Sequence, residues 1–323
     1  MSPVEVVVRG IIAAAGGFAF VGISLVILNW FERKMGGRIQ SRTGPMHVGF
    51  HGILITFADL LKLLQKEYII PDGASRLLFR AAPFMVIIPA IFVFLVVPVA
   101  PGIAAFDFDY SLLFILAFPA LSSFGILAAG WASNSKYSLI ASVRSIGQMI
   151  AYEIPRLLSA LSLVIIAGTL SITGIVEKQS YIWFVLLQPV AFLVFFFASL
   201  AEANRMPFDF TWAESELVSG FFTEYTGMRW ALFFLGEYGA LVSSCLVATL
   251  LFFGGWHGPL LPPLLWVLLK TALLVVFSLW VRWTWPRLRI DQWLNFSWKF
   301  LIPLSIINLL LTAFLTNWLG VSA

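Results

Sequence analysis

Eight long apolar runs limit the folds that this sequence can adopt. Each has about 20 residues, the helix length that crosses a hydrocarbon layer of roughly 30 Å. Every backbone polar group inside a bilayer needs an internal partner, so separate runs of this length predict an all-α, polytopic integral membrane protein. We expect residues 1–323 to form a single transmembrane domain of about eight spans, near 8–30, 78–99, 111–132, 146–168, 181–201, 230–253, 263–283 and 300–319.

The composition excludes an ordinary water-soluble domain. Only 11% of the residues are charged and 60% are hydrophobic, whereas a soluble protein needs about a quarter of its residues to be charged. The first apolar run is longer than the apolar core of a signal peptide, so we interpret it as a retained span.

Lysine and arginine are distributed unevenly between the two sides of the predicted spans. The connections on one side hold sixteen of them, eight in the first connection alone, and the other side holds only Arg9 and Lys178. Cytoplasmic loops carry such an excess, so the sequence predicts that both termini lie on the non-cytoplasmic side. Membrane orientation accounts for the net charge of +4, and we expect no nucleic-acid partner.

The first cytoplasmic loop, residues 31–77, contains an amphipathic segment. Between residues 51 and 69, leucine and phenylalanine recur at helical intervals, while Asp59, Lys62 and Lys66 occupy other faces. The segment is too polar to span a membrane. It therefore predicts an amphipathic helix that lies in the interface and contacts membrane lipids.

Acidic residues are rare but concentrated in one cytoplasmic loop. Five of the sixteen Asp and Glu residues occupy residues 202–229, which lead into the span that carries Glu237. Large apolar side chains interleave with these acids, which favours burial over a solvated acidic loop. Carboxylates clustered in a low dielectric cannot all remain ionised, so the loop is suited to exchange protons.

Two acids lie within predicted spans, where a charge is costly and commonly marks an ion or proton path. Glu153 stands three residues before Arg156, so a structural ion pair on one helical face is the alternative interpretation. Glu237 has no basic residue within a helical turn. That isolation favours a functional role for its carboxyl group.

The sequence lacks motifs for a bound cofactor. Its single cysteine, Cys245, lies in an apolar run and has no partner for a disulfide or for a cysteine-ligated cluster. It has no glycine-rich phosphate loop and no Walker-type lysine, and its three histidines are scattered. We therefore expect no flavin, nucleotide, iron–sulfur or metal site in this chain.

Several motifs occur in a fixed order between residues 31 and 292. They are FERKMGGRIQSRTGPMHVG, ADLLKLLQKE, GWASNSKYSLIASVRS, AYE, AEANRMPFDFTWAESELVSGFFTEYTGMRWALFFLGEY, LFFGGWHGPLLPP and WPRLRIDQ. In this combination the chain resembles the H subunit of bacterial NADH:quinone oxidoreductase (respiratory complex I), which is called subunit 1 in mitochondria. The resemblance implies a multi-pass subunit of a proton-translocating enzyme in the bacterial inner membrane. It also implies a quinone substrate at the interface with peripheral quinone-module subunits, and further partners in the membrane arm.

The resemblance assigns two groups of residues by matching position. Positions of the quinone chamber and its entrance are Glu32, Arg33, Arg42, Asp59, Lys62, Glu67, Lys136, Arg144 and Arg205. Positions of an acidic proton-coupling funnel are Glu153, Glu202, Asp209, Glu214, Glu216, Glu224 and Glu237. The resemblance thus implies that the acids in residues 202–229 form a proton relay beside the quinone chamber.

Two places depart from the family pattern. Thr211 and Trp212 stand where the family usually has Pro and Glu, which removes one acid from the funnel. His47 stands where the family has Arg, so a permanent cation is replaced by a side chain whose charge can change around neutral pH.

Two other functions stay open at the level of sequence. One is the homologous subunit of a membrane-bound hydrogenase or of a ferredoxin-fed complex, and the other is a stand-alone proton-coupled transporter. A transporter would be expected to contain internal repeats and paired broken helices, and no second copy of the acidic segment is evident in the other half of the chain. Co-purifying subunits separate the three possibilities.

Overall fold

The chain folds into helices, which confirms the all-α prediction. The computed structural model describes residues 3–102, 104–206, 208–209 and 219–319. The α-helices in this part of the chain are α1 (Pro3–Ile39), α2 (Ile55–Gln65), α3 (Arg76–Val96), α4 (Ser111–Ala132), α5 (Lys136–Ala167), α6 (Ile172–Lys178), α7 (Phe184–Leu187), α8 (Pro189–Glu202), α9 (Met228–Phe252), α10 (Pro263–Thr284), α11 (Ile290–Phe296) and α12 (Ile302–Leu319).

Seven helical segments in the described residues are long and apolar enough to cross a membrane. They are Val7–Ile39 within α1, the helices α3, α4, α5, α9 and α10, and Ile290–Trp318, which joins α11 to α12 through the π-helical turn Ser297–Leu301. A polytopic membrane fold is therefore confirmed.

The predicted span near 181–201 differs from the other seven because two shorter helices cover it. Helix α7 has 4 residues and α8 has 14, and the chain breaks between them at Gln188. Pro189 follows directly and disfavours a helical backbone at the residue before it. Gln188 accordingly has φ −132° and ψ 58°, so the break has a local cause in the sequence.

Helices α1 and α5 extend beyond their predicted spans. They contain 37 and 32 residues, which at 1.5 Å per residue gives lengths of roughly 56 and 48 Å. Both are longer than the hydrocarbon layer. The beginning of the predicted loop 31–77 is therefore helical as far as Ile39, and Glu32 and Arg144 lie on rigid helices rather than on loops.

The amphipathic segment forms helix α2, which packs against α1 and α9. Asn29 of α1 donates a hydrogen bond to the Thr56 hydroxyl, which in turn donates to the carbonyl oxygen of Val26. The opposite face of α2 remains uncovered in this chain. Exposed apolar side chains in α2 and directly before it include Leu54, Phe57, Leu61 and Leu64, as expected of an interfacial helix that contacts lipid.

Helix α9 lies at the centre of the bundle. It packs against α1, α3, α8 and α10, and most of its apolar span is buried, whereas only a small part of the span in α1 is buried. Gly236 and Gly239 allow close approach, because a Cβ atom at these positions would lie 2.9 Å from Val86 and 3.2 Å from Val21. Residues on α9 are therefore held firmly relative to α1 and α3.

A stripe of buried polar residues on α5 fixes the chain that connects α8 to α9. Ser138 donates to the carbonyl oxygen of Phe221 at 2.6 Å. Gln148 donates to the carbonyl oxygens of Ala201 at 2.8 Å and Phe208 at 2.9 Å. These bonds satisfy backbone groups that would otherwise be buried without partners, so the connection is a fixed part of the fold wherever it is described.

Candidate functional site

A cluster of four charged residues and one tyrosine, all buried or half-buried, joins α1, α9, α10 and the connection after α8. We call Glu32, Arg205, Glu237, Tyr238 and Arg282 the ion cluster. Arg205 donates to both carboxylate oxygens of Glu32, at 3.3 and 3.0 Å, and Arg282 pairs with the same carboxylate. The Tyr238 hydroxyl donates to Glu32 Oε2 at 2.6 Å. Four parts of the chain thus meet at one carboxylate.

Arg205 connects this carboxylate to the acid of the sixth predicted span. Its Nε atom lies 2.9 Å from Oε1 of Glu237, and its guanidinium lies 4.1 Å from the centre of the Tyr238 ring. The expectation that Glu237 has no nearby cation is therefore wrong. Only neighbours within a helical turn are visible in the sequence, and Arg205 reaches Glu237 through tertiary packing.

The charges of the ion cluster balance. Burial alone would lower the pKa of Arg205, but the carboxylates of Glu237 and Glu32 outweigh it and raise that pKa above its usual value. Arg205 is therefore a permanent cation. Two arginines face two carboxylates, the arrangement under which ionised groups can be buried.

Arg156 of α5 forms a second buried ion pair, with Glu202 at the end of α8. The sequence suggested Glu153 as its partner, whereas the ion pair that Arg156 forms in the structure is with Glu202. Arg156 also lies over the ring of Phe195, 5.7 Å from its centre. Its Nε atom is buried without a hydrogen-bond partner among the described residues.

Two small cavities adjoin the second ion pair. The larger, of about 50 Å³, is lined by Glu237, Glu202 and Arg156, together with Asn204 and serines of α4 and α9. The smaller, of about 20 Å³, is lined by Glu153, Tyr152, Arg156 and Glu202. A cavity needs roughly 10–15 Å³ of such space for each water molecule. The three acids Glu237, Glu202 and Glu153 thus line neighbouring spaces that are large enough for water.

A third, much larger cavity opens between α1, α2 and α9. We call it the portal. It has a volume of about 450 Å³ and a predominantly apolar lining, which is formed by residues such as Gly22, Leu25, Val26, Phe57, Leu60, Leu63, Trp230, Ala231, Phe234 and Leu235. Arg33, Asp59 and Lys62 also line it. Arg33 lies 2.9 Å from Asp59, and Lys62 lies 3.9 Å from the same carboxylate.

The structure separates residues that the resemblance grouped together. Arg33, Asp59 and Lys62 line the portal, whereas Glu32 and Arg205 belong to the ion cluster with Glu237. The remaining described positions differ in burial. Arg42, His47, Glu67 and Lys136 are exposed, Arg144, Glu153 and Glu224 are half-buried, and Asp209 is buried.

Four of the positions singled out in the sequence lie outside the described residues. They are Glu214 and Glu216 of the predicted funnel and the two substituted positions, Thr211 and Trp212. Their predicted roles stay predictions.

Sequence reasoning missed three charged or polar residues in spans. The charge distribution assigned Arg282 to a cytoplasmic loop. No sequence pattern gave a role to Tyr238, which follows Glu237, or to Lys270. Lys270 is buried and donates to three backbone oxygens beyond the end of α9, those of Phe253, Gly255 and His257, at 2.6, 2.9 and 2.8 Å. A cation inside an apolar run was the signal that could have identified Lys270. Its ammonium group donates hydrogen bonds to carbonyl oxygens that lie beyond the carboxyl end of a buried helix and would otherwise lack partners.

Comparisons with known proteins agree over nearly the whole chain. A family model described as NADH dehydrogenase matches residues 12–313. The H subunit of NADH-quinone oxidoreductase from Dehalococcoides mccartyi (strain CBDB1) is 47% identical over 297 residues, which cover 92% of this chain and 84% of the relative.

Two further relatives with the same enzyme name extend the match. The H subunit from Carboxydothermus hydrogenoformans is 41% identical over 308 residues, or 94% of this chain and 88% of the relative. The H 1 subunit from Geobacter metallireducens is 43% identical over 325 residues, or 98% and 99% of the two chains. The resemblance drawn from the motifs is confirmed, and the chain belongs to the NADH dehydrogenase family that includes the H subunits of bacterial NADH-quinone oxidoreductases.

Proposed function

We propose that this chain is the membrane subunit of a proton-pumping NADH:quinone oxidoreductase, in which it forms part of the quinone chamber and of the acidic route that couples quinone chemistry to proton movement. The observation that carries the proposal lies on one helix. Trp230, Ala231 and Phe234 of α9 line the portal, and Glu237 and Tyr238, about one turn further along, belong to the ion cluster. A change at the portal can therefore reach the buried acids through a single rigid element.

The portal suits the isoprenoid tail of a quinone. Ligand sites commonly have volumes of roughly 300–1,000 Å³, mostly apolar walls and a few polar groups. The portal has about 450 Å³ between two spans and the amphipathic helix, so a lipid-soluble molecule can approach it from the interface. Arg33, Asp59 and Lys62 supply the polar groups at its wall.

The acids suit a proton relay. Glu237, Glu202 and Glu153 line two adjoining cavities, and proton transfer between carboxyl groups requires either direct contact or intervening water. Quinone reduction consumes protons and changes the charge near the chamber. In the ion cluster the charges of two acids and two arginines cancel. A charge added nearby would be uncompensated in a low dielectric, so it would change the proton affinity of the acids.

Filling the portal tests the proposal in the assembled complex. Gly22 lines the portal, and a Cβ atom built there meets nothing within 4 Å. Gly22→Leu is therefore expected to fit its own helix but to obstruct a long isoprenoid tail. We expect the rate with a long-tailed quinone to fall more than the rate with a short-tailed analogue.

Gly16→Leu is the matched control, because Gly16 lies on the same helix with equal local space and outside the portal. It should leave both rates unchanged. Equal losses for long and short quinones in Gly22→Leu would contradict the assignment of the portal.

The subunits that co-purify with the chain test its assignment to the whole enzyme. Partners with flavin and NADH sites support the proposal. Partners with nickel and iron favour a hydrogenase, and a chain that purifies alone favours a transporter.

A further inference from the structure

Arg156 occupies a wall shared by the two small cavities. With Glu202 it lines both the cavity that reaches Glu237 and the cavity that reaches Glu153. A proton that moves between the two outer acids through these spaces must pass the Arg156–Glu202 pair. The pair therefore lies where its charge acts on a proton in either cavity.

Arg156 has a second carboxylate within reach. Glu153 precedes it by three residues on α5, so the two side chains share a helical face. Glu153 and Arg156 also line the same small cavity. Arg156 is 4% exposed, and its Nε atom has no hydrogen-bond partner among the described residues. The side chain thus has donor capacity that its contact with Glu202 does not use.

The local charges do not balance on both sides of Arg156. Glu153 of α5 and Glu202 of α8 both face Arg156, and α4 contributes only the hydroxyls of Ser122 and Ser123 to the polar part of the cavity walls. Glu237 lies farther along the larger cavity and is paired with Arg205. Among the described residues that line the two cavities beside this pair, one cation therefore serves two acids. A buried carboxylate without a cation is strongly disfavoured, so ionisation of one acid opposes ionisation of the other.

We propose that Arg156 is a movable counter-ion that couples the protonation of Glu202 to the deprotonation of Glu153, an inference that rests on the proposed proton-coupling function. In the structure Arg156 pairs with Glu202, and in the proposed exchange this arrangement belongs to the state in which Glu153 holds the proton. A proton that arrives on Glu202 from the cavity of Glu237 removes the charge that held Arg156. The guanidinium then turns to Glu153, whose proton leaves. One proton enters, one proton leaves, and Arg156 stays charged throughout.

Infrared difference spectroscopy of the assembled complex tests this exchange without requiring turnover. Glu202→Gln imitates a protonated Glu202, so Arg156 should turn to Glu153 and ionise it. We expect Glu202→Gln to lose the carboxylic-acid band of Glu153, which is assigned by its absence in Glu153→Gln. Persistence of that band in Glu202→Gln would overturn the proposal.

Variants of Arg156 separate positioning from mere support of the fold. Arg156→Lys keeps the positive charge. In this background, Glu202→Gln should still remove the carboxylic-acid band of Glu153. In an Arg156→Met background, Glu202→Gln should leave the Glu153 band in place. The control Lys178→Met removes an exposed cation elsewhere, and in that background Glu202→Gln should still remove the band. An unchanged dependence in Arg156→Met would contradict the inference.

Assembly and pumping give independent readouts. If Arg156→Met fails to assemble, the double variant Arg156→Met/Glu202→Gln removes the stranded acid and should restore assembly. Because this double variant lacks Arg156, the Glu153 band should persist in it. Loss of the band there would contradict the proposal that Arg156 is the counter-ion. Failure of the wild-type complex to pump protons would reject the proposed function while leaving the infrared result intact.

Discussion

The portal and the ion cluster use the same kinds of charged side chain in different surroundings. Arg33 and Asp59 at the portal are 43% and 32% exposed, whereas Arg205 and Glu32 in the cluster are 2% and 7% exposed. Solvent screens the first pair, so its contribution to stability is about 0–1 kcal/mol. Removing one partner of the second strands a buried charge, at a cost of about 3–5 kcal/mol.

The difference suits the two regions to different tasks. A weak, partly solvated pair can rearrange at little cost in free energy. A buried cluster that ties α1, α9 and α10 together cannot rearrange cheaply, so it fixes the helices and responds mainly through proton binding. Helix α9 contributes to both regions.

Arg205→Met should have the largest effect. It removes the cation that lies 2.9 Å from Glu237, and Glu32 keeps Arg282 and Tyr238 but loses Arg205. We expect a loss of about 3–5 kcal/mol in stability, which is measured as reduced recovery and a lower thermal midpoint of the assembled complex. Arg33→Met is the matched control at the portal. Equal stability of Arg205→Met and Arg33→Met would contradict the claim that the buried ion cluster contributes more to stability than the solvent-screened pair at the portal.

Tyr238→Phe should have an intermediate effect. It removes the 2.6 Å hydrogen bond to Glu32, and hydrogen bonds to charged groups contribute about 1.5–3 kcal/mol. The ring that lies under Arg205 remains. The thermal midpoint of the complex measures the loss.

Tyr225→Phe provides the control for the loss of a hydroxyl. Tyr225 is buried against Phe79, and its hydroxyl has no hydrogen-bond partner in the described part of the chain. Burial raises the pKa of Tyr225 above its ordinary value, so the hydroxyl is neutral and its removal should cost nothing. A larger loss for Tyr225→Phe than for Tyr238→Phe would contradict the role given to Tyr238.

Asp59→Asn should have a small effect on stability, below about 1 kcal/mol, because solvent screens the pair that it breaks. It leaves Arg33 and Lys62 as uncompensated cations at the portal. We expect the thermal midpoint to stay near that of the wild type while the apparent KM for quinone changes with ionic strength. A large drop in the midpoint would show that the portal pair is structural.

The smallest perturbation, Ser41→Cys, tests which side of the membrane both regions face. Ser41 is exposed after α1, and the native Cys245 is buried, so a thiol reagent reports only on the introduced residue. We expect a membrane-impermeant reagent to leave it unlabelled from the outer side of intact cells. Ready labelling there would reverse the predicted orientation.

Local patterns in the sequence predicted the helices well. Run length identified the spans, and the spacing of Leu54, Phe57 and Leu61 identified α2, because both depend only on residues close together in the chain. The break at Gln188 was missed, although the following Pro189 carries its signal.

The partners of the buried acids could not be predicted in the same way. Glu32 meets Arg282 across 250 positions in the sequence, and Glu237 meets Arg205 from the preceding connection. Helical spacing reveals neighbours three or four residues apart, so it pointed from Arg156 to Glu153 and could not reveal Glu202. Such contacts depend on how whole helices pack.

The central claim is that the buried acids beside α9 couple quinone chemistry to proton movement, and Glu237→Gln tests it most directly. The change removes a titratable proton with little change in shape, and Arg205 keeps its two contacts with Glu32. Quinone-linked turnover and the proton gradient should both be measured in proteoliposomes that contain the assembled complex. We predict slower quinone-linked turnover or a smaller proton gradient in an intact complex, whereas normal turnover with a normal gradient would contradict the claim.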